Sequence, residues 1–340
     1  MNLQETVFAL CTAEGVTGRE SAAAQLSCEL LRPYAADAAI DGLGSVTGTL
    51  GSGCKTILLD AHLDQIALVV TTVEERGFVR VAKVGGIDRR VMIGKPVVIY
   101  GRKPIHAIVS SIPPHLATKE DEKLPELAEM MIDTGLSETE AKEWIAPGDP
   151  ILLDYAPQAL LGTQVTAPAL DDRCAVAAIL RCLELLQGEE LPCKVAVQFS
   201  VHEETNSAGA KTSAFRAEAE EALIVDVSFA KTADTPGEIR AKLGSGMMIG
   251  YSPALCREIS QTLCRLAKEQ QIPHQAEAMG GRTGTNADDI AVTRDGVAVG
   301  LLSIPQKNMH TGVEIVDLAD VESTAQLMAA YIRNGGKDHG

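Results

Sequence analysis

The stretch VAVQFSVHEE, residues 195–204, joins a predicted buried strand to a charged end. Apolar and β-branched side chains at most of its positions indicate a strand in the interior of a sheet. Two adjacent carboxylates, Glu203 and Glu204, follow it, and such a pair is costly unless a cation or a proton separates their roles. The functional interpretation places one carboxylate on a metal and makes the other a general base. The alternative is a solvated acidic loop.

Other predicted elements deliver histidines and carboxylates in the same way. These residues are His62 and Asp64 after the strand at 56–60, Asp171 before a buried helix, Asp226 at the end of LIVD, and His310 after VAVGLLSI. In open α/β sheets ligands bind beyond the carboxyl ends of the strands. We therefore expect these side chains to converge at one edge of a sheet.

The residue types define the kind of site that we expect. Imidazole and carboxylate without thiolate suit zinc, cobalt or manganese, of which zinc is the first expectation. Two histidines and three carboxylates are too many for one tetrahedral ion, but they suffice for two ions about 3.5–4 Å apart that share a carboxylate. Asp64, two residues after His62, is placed to accept the other ring N–H of that histidine.

The order of predicted elements indicates an α/β protein with an inserted β-domain. Strands alternate with helices at both ends of the chain, which predicts a three-layer α/β/α catalytic domain with a mixed sheet at 1–65 and 161–340. Short β-rich runs at 66–160 predict a small barrel-like domain. One helix is predicted among them, since Ser137 and Glu140 have the spacing of a capping box at a helix N-terminus. The acidic run at 120–122 is interpreted as solvated surface.

Composition excludes several classes of function. The formal net charge of −16 argues against a nucleic-acid partner, which needs clustered basic residues. The eight cysteines form no C-x-x-C pair and are typical of reduced thiols in a cytosol. No apolar run approaches the roughly 18–20 residues of a membrane span. The N-terminal segment lacks the features of a signal peptide. We expect a cytoplasmic enzyme without a membrane partner.

Five segments resemble, in order, the motifs of the tetrahedral aminopeptidases, dinuclear-metal exopeptidases related to glutamyl aminopeptidase. They are AHLDQIA (61–67), ALDDRCA (169–175), HEETNSAGA (202–210), LIVDVS (223–228) and MHTGVEIVDLADVE (309–322). The segment KPVVIYG (95–101) is similar to the inserted domain of that family. The resemblance covers nearly the whole chain. It implies a cytosolic aminopeptidase for short peptides and homo-oligomers from a dimer, formed through the β-domain, to a hollow dodecamer.

The resemblance also implies a role for each site residue. The expected metal ligands are Asp171 as the bridge, His62 and Asp226 on one ion, and Glu204 and His310 on the other. Glu203 would be the general base, and Asp64 would orient His62. A cis peptide bond between Asp171 and Asp172 is a further implication.

Two segments depart from the family pattern. Residues 65–67, QIA, stand where the family usually has Glu-Ile-Gly, and residues 284–287, GTNA, where it usually has Gly-Thr-Asp-Ala. Neither holds an expected metal ligand, so we expect the chemistry to be retained and the preferred substrate side chain to differ. Arg282 either favours an acidic substrate side chain or is a structural surface residue.

Other functions compete with this interpretation. An endoglucanase-type glycosidase would use Glu203 and Glu204 as its carboxylate pair, but adjacent residues on a strand point to opposite faces. A deacylase or carboxypeptidase on the same scaffold is a second alternative, and a non-catalytic assembly protein is a third. The resemblance, together with the metal-site residues, favours a metal-dependent aminopeptidase that hydrolyses the N-terminal peptide bond with a metal-bridging water and Glu203 as the base.

Overall fold

The computed structural model describes residues 1–113, 115–116, 124–235, 237 and 241–337. The acidic run predicted at 120–122 lies outside the described residues. Within these ranges, none of the helices has both the length and the apolar character needed to cross a membrane.

The described residues form seventeen strands and eight α-helices. The strands are β1 (Ala39–Ile40), β2 (Val46–Leu50), β3 (Thr56–His62), β4 (Ala67–Val73), β5 (Phe78–Val84), β6 (Pro96–Tyr100), β7 (Pro104–Val109), β8 (Met131–Asp133), β9 (Pro150–Leu153), β10 (Gln158–Ala159), β11 (Gln164–Ala167), β12 (Lys194–Ser200), β13 (Glu221–Phe229), β14 (Met247–Tyr251), β15 (His274–Ala278), β16 (Ala298–Gln306) and β17 (Glu314–Asp317). The helices are α1 (Leu3–Thr12), α2 (Ser21–Leu31), α3 (Glu138–Trp144), α4 (Leu170–Leu185), α5 (Ala208–Ala217), α6 (Arg257–Glu269), α7 (Ala287–Ile290) and α8 (Leu318–Arg333). Short 3₁₀ turns span Glu75–Gly77, Arg89–Val91 and Leu127–Glu129.

The main sheet has eight strands in the order β1-β2-β12-β3-β13-β16-β14-β15. Its four central strands, β12, β3, β13 and β16, run parallel, and the strands next to them on either side, β2 and β14, run antiparallel to them. Because β12 and β3 are parallel and in register, Ser200 at the end of β12 lies beside His62 at the end of β3. The mixed sheet is therefore as predicted.

Helices cover both faces of this sheet. Side chains on a strand alternate between faces, so Ile57 and Leu59 of β3 pack into the core that α4 and α8 complete. Leu58, between them, packs into a second core with Ala210 of α5 and Ala287 of α7. Two cores on opposite faces confirm the predicted three-layer α/β/α arrangement.

The residues between β3 and β10 form a closed barrel. Its six strands are paired antiparallel in the circular order β4-β5-β8-β7-β6-β9. The interior is filled by apolar side chains such as Leu68, Val79 and Ile132. Helix α3 begins with the predicted capping box, in which the Glu140 amide donates to the Ser137 hydroxyl at 3.3 Å. The predicted barrel is confirmed, and its exact limits at 66 and 160 stay a prediction.

Three features differ from the sequence interpretation. β10, β11 and β17 form a separate three-stranded sheet that the sequence did not indicate. Strand β13 pairs with β16 as far as Phe229, so Asp226 lies within the strand rather than at its exit. The pattern of NADDIAVTR (286–294) predicts a helix, but the structure has only the single turn α7 there, and Arg294 beyond it adopts a left-handed backbone with φ 59°.

Candidate active site

Three central strands bring acidic and imidazole side chains to one place. His62 is the last residue of β3, and Asp226 projects from β13; both are buried. Glu203 and Glu204 lie in a turn after β12, where His202 has a φ of 66°. They are therefore not consecutive residues of a strand, and the strand-geometry argument against a glycosidase does not apply to them.

Asp171 and His310 reach the same place from outside the sheet. Asp171 lies at the start of α4, where its backbone is still non-helical (φ −77°, ψ 100°). The peptide bond between Asp171 and Asp172 is cis, as the resemblance implies. His310 follows β16 with a left-handed backbone (φ 61°). The structure thus brings together all five residues that the sequence marked as metal ligands.

These five side chains form two donor groups with one member in common. The His62 group comprises His62, Asp171 and Asp226, and the His310 group comprises Asp171, Glu204 and His310; within each group the ligand atoms lie within 4.8 Å of one another. Asp171 Oδ1 is 3.0 Å from His62 Nε2, and Asp171 Oδ2 is 3.5 Å from His310 Nε2. Glu204 Oε1 is also 3.5 Å from His310 Nε2.

Both imidazole rings are oriented by backbone carbonyls. His62 Nδ1–H donates to the Asp64 carbonyl at 3.0 Å, and His310 Nδ1–H donates to the Gly86 carbonyl at 3.1 Å. In the neutral ring each Nε2 then presents a lone pair to a carboxylate oxygen of Asp171. Two lone pairs that face each other need a proton or a metal cation between them, and one imidazole with two carboxylates in each group fits a divalent metal ion.

The Asp64 side chain holds a different group from the one predicted. Its carboxylate lies 3.6 Å from His62 Nδ1, farther than the Asp64 carbonyl. It accepts instead the amide N–H of Glu203 at 2.9 Å, the amide of Glu204 at 3.1 Å and the Thr17 hydroxyl at 2.7 Å. Asp64 therefore orients His62 through its backbone and holds the Glu203–Glu204 turn through its side chain.

The carboxyl groups crowd a poorly solvated space, which changes their protonation. Burial raises the pKa of Glu203 to about 7, against the opposing effect of His62. Burial and the Asp171 charge raise the pKa of Glu204 to about 8. Burial also raises the pKa of Asp226 well above its ordinary range. Such a set resists holding several negative charges without compensating positive charge.

The imidazoles show the opposite tendency. Burial alone would lower the pKa of His62, but the Asp171 carboxylate at 3.0 Å and the nearby Asp64 carboxylate outweigh burial and raise the pKa well above the usual value. Burial would also lower the pKa of His310, but the carboxylates of Asp171 and Glu204 outweigh burial and raise that pKa to about 9. Both rings thus lie where positive charge is stabilised, which is the electrostatic requirement of a cation site.

Glu314 supports the site and was not identified from the sequence. It is the first residue of β17 and is buried. Oε2 accepts the Asp171 amide at 3.1 Å, and Oε1 accepts the His310 amide at 2.9 Å. The only feature of the sequence that could have pointed to Glu314 is its position four residues after His310 in MHTGVE. That spacing does not indicate which groups Glu314 would bind.

A pocket opens beside the donor groups. Its lining comprises Val227, Ser228, Phe229, Thr283, Gly284, Thr285 and Met309 together with Glu203 and the five candidate ligands. Arg282 is not among these residues; its side chain is 79% exposed and pairs with Asp288 at 3.3 Å. The structural alternative for Arg282 is therefore favoured.

The residues that differ from the family pattern, Gln65, Ala67 and Asn286, do not line this pocket, although Gly284 and Thr285 beside Asn286 do. The Asn286 side chain is buried and donates to Asp60 at 2.9 Å and to the Ser200 hydroxyl at 2.8 Å. Gln198 donates to the other oxygen of Asp60 at 2.7 Å. Gln65 is buried and lines a second cavity, between the barrel and the main sheet domain, which Asp171 and Glu204 also line.

Comparisons with known proteins agree with this geometry. Residues 44–327 match the family model described as M42 glutamyl aminopeptidase. The lysyl aminopeptidase of Pyrococcus furiosus is 28% identical over 334 residues, which are 96% of each chain. A TET aminopeptidase from a marine-sediment Thaumarchaeota archaeon superposes with a TM-score of 0.93 at 29% identity, over 99% of this chain and 98% of that one.

A second solved structure comes from a protein with a known assembly. The TET1 peptidase of Pyrococcus horikoshii, described as forming a tetrahedron or a large octahedral shell, has a TM-score of 0.86 and 29% identity, over 97% of this chain and 99% of that one. The family model alone spans most of the 340 residues. The chain therefore belongs to the M42 glutamyl aminopeptidase family and is a metal-dependent aminopeptidase, a hydrolase of peptide bonds.

Proposed function

We propose that the chain releases the N-terminal residue of short peptides at two divalent metal ions, one held by each donor group. Zinc is the first choice and cobalt or manganese the alternatives, because the donors are imidazole and carboxylate. The observation that carries the proposal is the shared Asp171, whose two oxygens face the Nε2 atoms of His62 and His310 at 3.0 and 3.5 Å. When bound, such ions polarise a peptide carbonyl and lower the pKa of water.

Glu203 acts as the general base in this proposal. It lines the pocket with the candidate ligands but belongs to neither donor group. Its amide is held by the Asp64 carboxylate, so the backbone from which its side chain projects is fixed. Glu203 takes a proton from the attacking water and returns it to the leaving amine, and both transfers need a carboxylate within reach of the scissile bond.

Asp64 is a positioning residue for both halves of the reaction. Its carbonyl fixes the tautomer of the metal ligand His62, and its carboxylate holds the amides of Glu203 and Glu204. One residue thus keeps a ligand of each donor group and the base in a constant mutual arrangement. Such support matters because small displacements of reacting groups cost large factors in rate.

We further propose homo-oligomers, from a dimer to a dodecamer, with the barrel at 66–160 as the dimerisation and substrate-access domain and 1–65 with 161–340 as the catalytic domain. The assembly of the Pyrococcus horikoshii relative supports this proposal. Ile108 and Ile112 are about half exposed on or beside the barrel, which supports an apolar contact there. Mass photometry of the purified chain tests it, and a monomer at all concentrations would contradict it.

The eight cysteines are free, and five of them are buried, which supports a reducing cytoplasm as the working compartment. Substrates are free short peptides in that compartment. Nucleic acid is not proposed as a partner, because the net charge of −16 opposes it.

A panel of aminoacyl-p-nitroanilides tests the function. The metal-stripped protein should be inactive, and Zn²⁺, Co²⁺ or Mn²⁺ should restore cleavage of substrates with a free α-amine. N-acetylated substrates test for a deacylase, C-terminal reporter peptides for a carboxypeptidase, and a β-glucan for a glycosidase. Hydrolysis of the glycan in the presence of chelator, or of acetylated substrates in preference to free amines, would contradict the proposal.

A further inference from the structure

One ligand of the His310 group is oriented from the barrel rather than from the main sheet domain. His310 Nδ1–H donates to the carbonyl of Gly86, across 224 positions of the chain. Gly86 lies just beyond β5, a barrel strand. With Nδ1–H committed to that carbonyl, Nε2 is the atom turned toward Asp171 and Glu204.

The space at this contact admits only glycine. A Cβ on Gly86 would lie 2.6 Å from His310 Nδ1 and 2.8 Å from Cε1. A Cβ on the preceding Gly85 would lie 2.7 Å from Ile66 and 3.2 Å from Glu204 Oε2. The turn made by Gly85 and Gly86 therefore packs directly against two of the three members of the His310 group.

The same turn is fixed to the barrel. Ile87, the next residue, is buried in the barrel core. Asp88 then accepts the Arg90 amide at 2.9 Å and begins the 3₁₀ turn Arg89–Val91. A shift of the barrel relative to the sheet would carry the Gly86 carbonyl with it.

The His62 group has no such dependence. His62 is oriented by the carbonyl of Asp64, two residues along the same chain segment, and its amide donates to Asp172 at 3.2 Å. Asp226 projects from a central strand of the main sheet. All of these contacts belong to the main sheet domain or its immediate edge.

We propose that the Gly85–Gly86 turn is a positioning element for the His310 group, so that occupancy of this group by a metal ion depends on the docked barrel while occupancy of the His62 group does not. The inference rests on the donor groups of the proposed function. By thermodynamic linkage, the free energy by which the docked turn favours binding of an ion to the His310 group equals the free energy by which that ion favours the docked turn.

Gly86→Ala tests the proposal, with Gly42→Ala as the matched control. Neither glycine has a positive φ, and a Cβ on Gly42 meets nothing within 4 Å, so only the contact with His310 distinguishes the two variants. Zn²⁺ alone is titrated into the metal-free protein against a chromophoric chelator. Wild type and Gly42→Ala should bind two ions. Gly86→Ala should keep the tighter one and lose about 10–100-fold in affinity for the other, the usual effect of removing a ligand's supporting partner.

The outcomes separate this inference from the proposed function. His310→Ala should also retain one ion. If His310→Ala binds two ions as wild type does, or if wild type binds fewer than two, the assignment of the two donor groups is wrong. If His310→Ala loses one ion and Gly86→Ala binds both with wild-type affinity, the donor groups stand and the positioning role is overturned. A purely structural role for Gly86 would weaken both ions equally, which also overturns it.

A second measurement uses the wild-type chain, so it does not depend on the folding of a variant. Hydrogen exchange of the segment 84–92 is compared at one and at two equivalents of Zn²⁺, with strand β7 of the same barrel as the reference segment. The second equivalent should slow exchange at 84–92 and leave β7 unchanged. Equal exchange of 84–92 at one and two equivalents would overturn the inference.

Discussion

The two donor groups share Asp171 and differ in almost everything else. The His62 side chain is 2% exposed and the His310 side chain is 30% exposed. The His62 group is built on adjacent strands of one sheet, whereas the His310 group gathers a turn after β12, a loop after β16 and the barrel. The comparison distinguishes an inner site, the His62 group, whose other ligands lie on adjacent strands of one sheet, from an outer site, the His310 group, which depends on separate loops and on the barrel.

Removal of the base should have the largest effect and should leave both groups intact. Glu203→Gln keeps the size of the side chain and removes its ability to accept a proton, so kcat should fall by roughly 10²–10⁴. Two metal ions per chain should remain by elemental analysis. A variant that turns over nearly as fast as wild type would show that Glu203 is not the base.

Metal removal distinguishes the two groups directly. Graded chelation should give a stable one-ion form, because the more exposed His310 group releases its ion first. His310→Ala should reproduce that form, with affinity for the second ion lowered by more than about 100-fold, beyond the usual effect of losing a supporting partner alone. Simultaneous loss of both ions along the whole chelation series would show that the groups are not independent.

A substitution at Glu314 should change the difference in metal affinity between the two groups by a smaller amount. In Glu314→Gln one of the two amides that the carboxylate accepts, from Asp171 or from His310, would face an NH₂ donor instead. Affinity for the more weakly held ion should fall by about 10–100-fold, as for other groups that hold a ligand in place.

The exposed Glu143, in helix α3 of the barrel, supplies the control for that variant. Glu143→Gln should bind both ions as wild type does. If Glu314→Gln also binds them normally, the two hydrogen bonds of Glu314 do not contribute to metal binding.

The polar network beneath His62 can be changed without touching a ligand. Asn286→Asp would put a carboxylate oxygen where an NH₂ group donates to Asp60 at 2.9 Å. The free energy of unfolding at neutral pH should fall by about 1–3 kcal/mol, the effect of leaving a buried polar group without its partner. Urea denaturation measures the change, and Asn206→Asp, at an exposed turn, is the reference. Equal stability of the two variants would mean that the network accommodates the extra charge.

The smallest effect is expected at Arg282, whose exposed side chain does not line the pocket. Its exposed pairing with Asp288 predicts a change of no more than about 0.5 kcal/mol in stability for Arg282→Ala. Relative kcat/KM values for glutamyl and leucyl p-nitroanilides should stay as in wild type. A selective loss for the glutamyl substrate would restore the interpretation in which Arg282 favours acidic side chains.

The sequence locates the residues that directly follow parallel strands, and it does so for a physical reason. Parallel strands end at a common edge, so an apolar run followed by His62 or Glu203 already locates those residues near one another. Asp226 was expected at the same edge, although β13 continues past it to Phe229. The three-layer fold and the barrel follow from the same alternation of apolar residues.

The contacts that support the two sites from other elements leave little trace in the sequence. Gly86 acts through a backbone carbonyl, which every residue has, and its partner lies 224 positions away. The direction of the Asn286 side chain depends on the short turn α7, which placed it beside Asp60 rather than in the pocket. Such features depend on how separate elements dock, and neither periodicity nor spacing describes docking.

The clamp that Asp64 places on consecutive amides has a consequence for engineering the enzyme. Glu203 and Glu204 have the same chemistry, yet their backbone is pinned at both residues, at 2.9 and 3.1 Å. A displacement of the main chain therefore cannot bring either carboxylate nearer to the site, so the position of each carboxylate is set by the length of its side chain. An aspartate at either position would have a side chain one methylene too short. We therefore expect Glu203→Asp to slow proton transfer and Glu204→Asp to weaken the binding of one metal ion.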